Sequence, residues 1–256
     1  INYLQAALAA VERVSEILNA EEETEEPANP VVLEAPKGEI EFRHVSFGYL
    51  PGKTLMKDVS FTVEKGEVHM LLGENGAGKS TLMKILAGSL AADAGSIYWE
   101  GKEIEITSPS VARNLGISMV YQELALVGTM TVMENILMGD MNCLGKTNIL
   151  DKGACRKRAK DVLDRVGLGN LSMDAVVDTL SLGVRQLIEI AKGLSGNAKL
   201  LILDEPTSAL TETEVDNLFG IIEGLQKEGI SFIFITHKLE EVFRIGSRVS
   251  ILRAGE

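Results

Sequence analysis

A glycine-rich stretch at residues 73–81 limits most strongly what this chain can fold into. It reads GENGAGKST and fits the pattern G-x-x-x-x-G-K-[ST] at every fixed position. The apolar run at 68–72 before it is typical of a buried strand, and the segment 82–87 after it has the composition of a helix. A loop between a strand and a helix N-terminus can direct its backbone amides at an anion. The stretch therefore predicts a phosphate-binding loop for a nucleoside triphosphate.

The residues of this loop have separate physical roles. Its three glycines are expected to let the backbone curl so that N–H groups point inward. Lys79 would place a cation on the outer phosphates, and the hydroxyl of Ser80 would be a ligand of the Mg²⁺ that bridges them. A glycine-rich turn that only caps an ordinary helix is the alternative, and the flanking strand and helix favour the phosphate loop over it. The predicted nucleotide-binding residues here are Gly73, Asn75, Gly76, Gly78, Lys79, Ser80 and Thr81.

The composition excludes several classes of protein. A chain of 256 residues that is 45% hydrophobic is long and apolar enough to bury a sizeable core. Its formal net charge of -12 argues against a nucleic acid as the main partner. No run approaches the length of apolar sequence that a membrane span needs. The two cysteines, Cys143 and Cys155, indicate neither a disulfide framework nor a metal site, so a reducing compartment is expected. No signal peptide is recognisable, and the first residue, Ile1, suggests a fragment.

The apolar pattern predicts a leader followed by a globular domain. Residues 1–37 read as an amphipathic helix and an acidic, proline-containing linker, and the globular domain is predicted at 38–256. The continuous apolar runs 200–203 and 232–235 are typical of central parallel strands. Helical spacing dominates the middle of the domain. We therefore predict an α/β fold interrupted by a helical subdomain at about 111–195.

Two neighbouring carboxylates, Asp204 and Glu205, follow one of these strands. The carboxyl edge of a parallel sheet is where nucleotide sites lie in open α/β folds. Asp204 is expected to hold Mg²⁺ through its water shell, and Glu205 to polarise the water that attacks the terminal phosphorus. An acid pair that only caps the next helix is the alternative, and the phosphate loop favours the catalytic interpretation.

With LSLG at 180–183 ahead of these acids, the chain resembles the nucleotide-binding domain of ABC transporters over about 38–256. The resemblance implies a RecA-like P-loop NTPase core with an antiparallel β subdomain and an inserted α-helical subdomain. It implies ATP and Mg²⁺ as ligands, and ATP hydrolysis as the activity. Gln122 matches the family's glutamine that contacts the magnesium or the attacking water, and His237 matches the histidine that contacts the terminal phosphate. With Lys79 and Glu205 they complete the expected catalytic set.

The resemblance also assigns residues at the ends of the site. Tyr49 stands where an aromatic ring stacks on adenine, although a strand-end aromatic that packs on the domain edge is the alternative. In the family, Ser181 and the amides around Gly183 bind the terminal phosphate of an ATP held by the opposite subunit; a plain helix cap is the alternative. The family motif is commonly LSGGQ, whereas this chain has LSLGV. Val184 thus replaces a polar side chain and puts the contact to the partner's ATP, or dimerisation, in question.

Two branches of the family are resembled within one chain. From residue 68 onward, stretches such as GENGAGKSTLMKILAG and LDEPTSALTETEV resemble the ATPases of monosaccharide importers. Residues 1–67, with INYLQAALAAVERVSEIL and FRHVSFGY, resemble the junction between membrane helix and ATPase in ABC exporters. This change of character predicts a natural or engineered hybrid, or a fragment of a fused transporter. An importer-like domain with an unrelated amphipathic tail is the alternative.

The function that the resemblance implies is ATP hydrolysis that powers transmembrane transport. The same resemblance implies the partners. The expected partners are a second ABC ATPase domain, identical or different, and a transmembrane transporter domain at the cytoplasmic face of the cell membrane. Two alternatives stay open. One is an ABC-type ATPase that acts on the ribosome or DNA. Such proteins generally carry long coiled-coil insertions and basic surfaces, and the sequence indicates neither. The other is a catalytically impaired module that only binds nucleotide.

Overall fold

The computed structural model describes residues 38–50, 53–74, 76–138 and 152–255, with only the backbone for residue 152. The predicted amphipathic helix and linker at 1–37 lie outside the described residues, as do most of the predicted exporter-like features. Asn75 and Cys143 lie outside them too. Within the described ranges the chain forms two sheets and seven α-helices.

The smaller sheet is antiparallel and follows the strand order β2-β1-β4-β5. Alternating residues of its first strand are buried, and Ile40 faces Val63 while Phe42 faces Phe61. A tight turn joins β4 to β5, and both of its residues have positive φ, which suits the right-handed twist of a hairpin. The two strands thus form a hairpin around residue 101. The strands are β1 Ile40–Phe47, β2 Met56–Val63, β4 Ala94–Trp99 and β5 Lys102–Ile104.

The larger sheet is parallel throughout and follows the order β6-β7-β8-β3-β9. Every residue of β7 and β8 is buried, as expected for strands with both faces covered. The two continuous apolar runs of the sequence are therefore interior strands, as predicted. Because the strands run the same way, their carboxyl ends meet at one edge of the sheet. The strands are β3 Val68–Gly73, β6 Ile117–Val120, β7 Leu200–Asp204, β8 Ser231–Thr236 and β9 Arg248–Leu252.

The helices cover the sheet and fill the middle of the chain. The third, fourth and fifth pack against one another. The predicted helical range 111–195 also contains β6, which pairs with β7 in the larger sheet. None of the helices in the described ranges is long and apolar enough to cross a membrane. The helices are α1 Lys79–Leu86, α2 Pro109–Leu115, α3 Val132–Leu137, α4 Lys152–Arg165, α5 Leu182–Ser195, α6 Glu212–Lys227 and α7 Leu239–Ile245.

A buried histidine links β3 to the edge strand β9. The Nδ1 of His69 lies 3.0 Å from Glu67 Oε1, and its Nε2 lies 2.9 Å from Ser250 Oγ. Its ring stacks on Phe61 with the centroids 5.1 Å apart. Since a carboxylate only accepts, a neutral ring satisfies both contacts if Nδ1 donates to Glu67 and Nε2 accepts from Ser250. Burial lowers the pKa of His69 from its ordinary value of 6.5, although the Glu67 carboxylate opposes the shift.

We expect this histidine to make folding stability depend on pH. The unfolded chain binds a proton near pH 6.5, whereas folded His69 resists protonation, so the free energy of unfolding falls as pH drops below 6.5. Urea unfolding between about pH 7.5 and pH 5.5 measures the slope. His69→Gln, whose amide can donate and accept without titrating, is expected to flatten it. An equal slope in both proteins would exclude His69 as its source.

Candidate functional site

The phosphate loop opens into a cavity of about 420 Å³ at the carboxyl edge of the larger sheet. Its walls come from parts of the chain that are far apart in sequence. They include five of the loop residues, the predicted aromatic, the predicted glutamine and one of the two predicted acids. The cavity is lined by Tyr49, Leu55, Gly76, Gly78, Lys79, Ser80, Thr81, Gln122 and Glu205.

The glycines of the loop are needed for two different reasons. Gly76 and Gly78 have φ of 85° and 96°, in the left-handed region that other residues enter at a cost. Gly73 does not share this conformation, and the expectation that it helps the backbone to curl is corrected. A Cβ on Gly73 would lie 2.3 Å from the carbonyl oxygen of Leu252, so glycine there permits the close approach of β3 and β9.

Lys79 is the first residue of α1, and its side chain is turned back over the loop. Its Nζ donates to the carbonyl oxygens of Gly73, at 2.6 Å, and Glu74, at 3.0 Å. The side chain is buried. The N-cap residue of the helix, Gly78, has no side chain that could accept from the first N–H groups of α1. These N–H groups and the lysine cation lie at the same end of the helix. Both features favour an anion at this place.

The predicted magnesium ligands are brought together across the chain. Ser80 Oγ donates to Asp204 Oδ1 at 3.3 Å, a contact between residues 124 positions apart. Burial raises the pKa of Asp204, and the neighbouring Glu205 charge adds to the shift, whereas the hydrogen bond from Ser80 opposes it. A hydroxyl and a carboxylate suit Mg²⁺, which commonly completes its shell with substrate phosphates and water. Among the described residues, no group of three or more histidine, cysteine, aspartate or glutamate side chains is arranged to hold a metal ion.

Glu205 and His237 form a pair at the ends of β7 and β8. The Nδ1 of His237 lies 3.1 Å from Glu205 Oε1, and the carboxylate is much the more buried of the two groups. Glu205 has φ of 45°, an uncommon conformation for a residue with a side chain, and its N–H donates to Ile235 O at 3.1 Å. Residues held in such conformations cluster at functional sites. Gln122 is exposed on the wall of the same cavity.

Tyr49 closes one side of the cavity. Its hydroxyl is hydrogen-bonded to Thr81 Oγ1 at 3.1 Å, and its ring meets Phe47 edge-on at 4.9 Å between centroids. The side chain is 60% exposed, so a face of the ring is open to a planar ligand. The contact with Phe47 fits strand-edge packing equally well.

Ser181 and Gly183 do not line this cavity. Ser181 is the N-cap of α5, where its Oγ accepts from the N–H of Val184 at 3.4 Å. A Cβ on Gly183 would lie 2.3 Å from Glu214 Oε1, so glycine allows α6 to approach. Val184 is half-buried against the larger apolar core. The structure therefore separates these residues from the phosphate loop of their own chain.

Sequence reasoning missed a buried polar cluster behind the Glu205 and His237 pair. Thr207, Thr236 and Glu241 are all buried, and both threonines donate a hydrogen bond to the Glu241 carboxylate. A visible signal was the threonine at the end of an apolar strand, immediately before His237. The acid at 241 carried no such signal, because a glutamate in the first turn of a helix is common on protein surfaces.

Comparisons with known proteins agree with this geometry. Residues 56–208 match the family model described as ABC transporter. The chain is 43% identical over 217 residues to the ribose import ATP-binding protein RbsA of Chromobacterium violaceum, covering 85% of this chain and 43% of that protein. It is 47% identical over 205 residues to a ribose import ATP-binding protein RbsA of Rubrobacter xylanophilus, covering 80% of this chain and 40% of that protein. The chain thus spans about two fifths of the length of the curated relatives it matches.

Solved structures give the same fold. An ATP-binding cassette of an ABC transporter, MJ1267 in its ADP conformation, superposes with a TM-score of 0.75 at 29% identity, over 84% of this chain and 87% of that one. A bacterial Atm1-family ABC exporter with ATP bound superposes with a TM-score of 0.75 over 98% of this chain and 43% of that one. Since the identity to the exporter is 20%, that likeness concerns the fold alone.

Proposed function

This chain is an ATPase domain of the ABC transporter family, and on that premise we propose that it powers the import of a monosaccharide such as ribose. The observation that carries the ATPase part is the cavity in which the phosphate loop, Gln122 and Glu205 lie together. The sugar is supported by two ribose import ATP-binding proteins to which the chain is 43% and 47% identical. The proposed place of action is the cytoplasmic face of the cell membrane.

The residues present suit a bound Mg²⁺–ATP. Lys79 would exchange its two carbonyl contacts for phosphate oxygens, and the amides of the loop and of α1 would hold the remaining phosphate charge. Ser80 and Asp204 would hold the metal, which neutralises phosphate charge when bound. Tyr49 would stack on the base. Glu205 would polarise the attacking water, and His237 would contact the terminal phosphate. The contact between the two side chains supports a further role for the imidazole, which would hold the carboxylate in place.

We propose that the working unit contains two such domains. Ser181 and Gly183 lie outside their own chain's cavity, so a head-to-tail pair would let them complete the site of the other domain. The partner is a second copy or a different ABC ATPase domain, and a transmembrane domain receives the movement. A module that binds nucleotide without turnover is the competing function, favoured by Val184, which places an apolar side chain in the cap.

Phosphate release across protein concentration tests this arrangement. Because one chain holds half of each site, we expect hydrolysis per chain to rise with concentration as the two domains associate. Hydrolysis per chain that stays constant over a wide range would argue against a shared site. ATP binding without phosphate release at any concentration would favour the silent module.

Mixing two inactive variants gives a sharper result for an identical pair. Lys79→Ala disables the phosphate loop and Ser181→Arg disables the cap, so each alone is expected to be inactive. A mixed pair keeps one intact site, and an equal mixture is expected to recover up to about a quarter of the parental rate. No recovery, alongside a parent whose hydrolysis does rise with concentration, would contradict the head-to-tail arrangement.

Monosaccharide uptake by cells that carry Glu205→Gln tests the transport role. We expect uptake to fall, and undiminished uptake would reject the transport role.

A further inference from the structure

We propose that Glu241 is a positioning residue that sets the distance between the Glu205 carboxylate and the His237 imidazole. The proposal deepens the proposed ATPase function and rests on it. Glu241 lies in the first turn of α7, close to His237 in sequence but far from Glu205. Its side chain is 5% exposed. A carboxylate so buried must be surrounded by donors to be tolerated.

The two oxygens of this carboxylate accept from two different catalytic segments. Thr207, two residues after Glu205, donates its hydroxyl to Oε1 at 2.5 Å. Thr236, the residue before His237, donates its hydroxyl to Oε2 at 2.6 Å. Both threonines are buried, so no solvent is at hand to replace either bond. One carboxylate thus joins the segment that follows β7 to the last residue of β8.

The same cluster holds the backbone of the turn that carries His237. The hydroxyl of Thr236 also accepts from the N–H of Lys238 at 3.0 Å, so the residues on both sides of His237 are fixed to one side chain. Lys238 Nζ lies 3.3 Å from Glu241 Oε1 and provides a positive charge next to the carboxylate. We name Thr207, Thr236 and Glu241 the threonine–glutamate bracket.

The bracket explains how an uncommon backbone conformation persists at Glu205. That residue has φ of 45°, which the surroundings must hold in place. Its N–H is tied to Ile235 on β8, and two residues later the chain is tied again through the Thr207 hydroxyl. Between these two anchors the Glu205 side chain reaches His237 at 3.1 Å. Loosening the second anchor frees the carboxylate to leave the imidazole without touching the residues that bind phosphate.

The expected signature is a loss of turnover without a loss of binding. Glu241→Gln can still accept one hydroxyl bond, and we expect kcat for ATP hydrolysis to fall at least about tenfold while the dissociation constant for Mg²⁺–ATP changes less than about threefold. Thr207→Val, which keeps the shape and removes the hydroxyl, is expected to give the same split. Thr236→Val, which also removes a hydroxyl, is expected to lose turnover in the same way. Thr236→Ser, which keeps the hydroxyl, is expected to retain most of the parental turnover.

Two controls separate positioning from general destabilisation. Asn135→Ala removes a buried side chain with three hydrogen bonds on α3, outside the cavity, and is expected to lower the melting temperature while keeping most of the turnover. In a His237→Ala background, Glu241→Gln should cost far less than tenfold, because the distance it sets no longer matters. Equal losses in both backgrounds would overturn the proposal.

A measurement that needs no hydrolysis keeps this inference distinct from the proposed function. The chain has three histidines, so the ¹⁵N resonance of His237 Nδ1 can be assigned and reports its contact with Glu205. We expect that resonance to shift in Glu241→Gln. A parent without ATPase activity would reject the proposed function, whereas an unchanged resonance and parental kcat in Glu241→Gln and Thr207→Val would reject the bracket.

Discussion

Glu205→Gln is expected to lower ATP hydrolysis by about 100-fold or more while nucleotide binding stays close to that of the parent. The amide fills the same space beside His237 but cannot act as a base toward the attacking water. The carboxylate lies on the wall of the cavity, 3.1 Å from the imidazole, and contacts none of the described phosphate-loop side chains through a hydrogen bond. Phosphate release and equilibrium binding of ATP, measured on the same preparation, give the two quantities.

Glu212→Gln is a matched control for this substitution. It makes the same chemical change at an exposed glutamate in the first turn of α6, outside the cavity. We expect parental hydrolysis and binding from it. Parental turnover in Glu205→Gln would remove the carboxylate from the reaction and leave the choice of base to another group.

Lys79→Ala is expected to weaken ATP binding by about 10- to 100-fold. The substitution removes the one side-chain cation of the loop. It also removes the two hydrogen bonds that hold Gly73 and Glu74, so the loop loses part of its own support. Titration with a fluorescent ATP analogue, in competition with ATP, measures the affinity.

Lys84→Ala controls for charge alone. Lys84 is an exposed residue in the last turn of the same helix, and its removal lowers the net positive charge by the same amount. We expect its effect on affinity to be much smaller, because it lies at the opposite end of α1 from the loop. Unaltered ATP affinity in Lys79→Ala, with Lys84→Ala behaving alike, would contradict the phosphate-loop assignment.

Much of the fold could be predicted because local patterns dictate local structure. The apolar runs at 200–203 and 232–235 are too continuous for a half-exposed strand, and they form β7 and β8 in the interior of the parallel sheet. The glycine-rich loop was recognisable because Gly78, Lys79 and Ser80 stand at the fixed positions of a known sequence pattern. These patterns could not predict the strand order, because β3 lies between β8 and β9, which are distant from it in sequence.

The sequence predicted the residue types of the candidate site but not their contacts. The chemical types of Lys79, Asp204 and Glu205, and the order of motifs along the chain, were readable from the sequence. Their meeting was not, because the contact of Ser80 with Asp204 depends on which strands become neighbours.

The sequence by itself determined the phosphate loop, the parallel-strand core and membership of the family, since each depends on residues that are close together in the chain. Only the tertiary structure determined the close contact that requires glycine at position 73. It also determined that Glu205 lines the cavity of the phosphate loop, and which residues hold the Glu205 segment in place. The contact of Gly73 with Leu252 and the bond from Thr207 to Glu241 each join residues that are distant in sequence. Such contacts arise from the packing of the whole domain, and no local pattern of residue types encodes them.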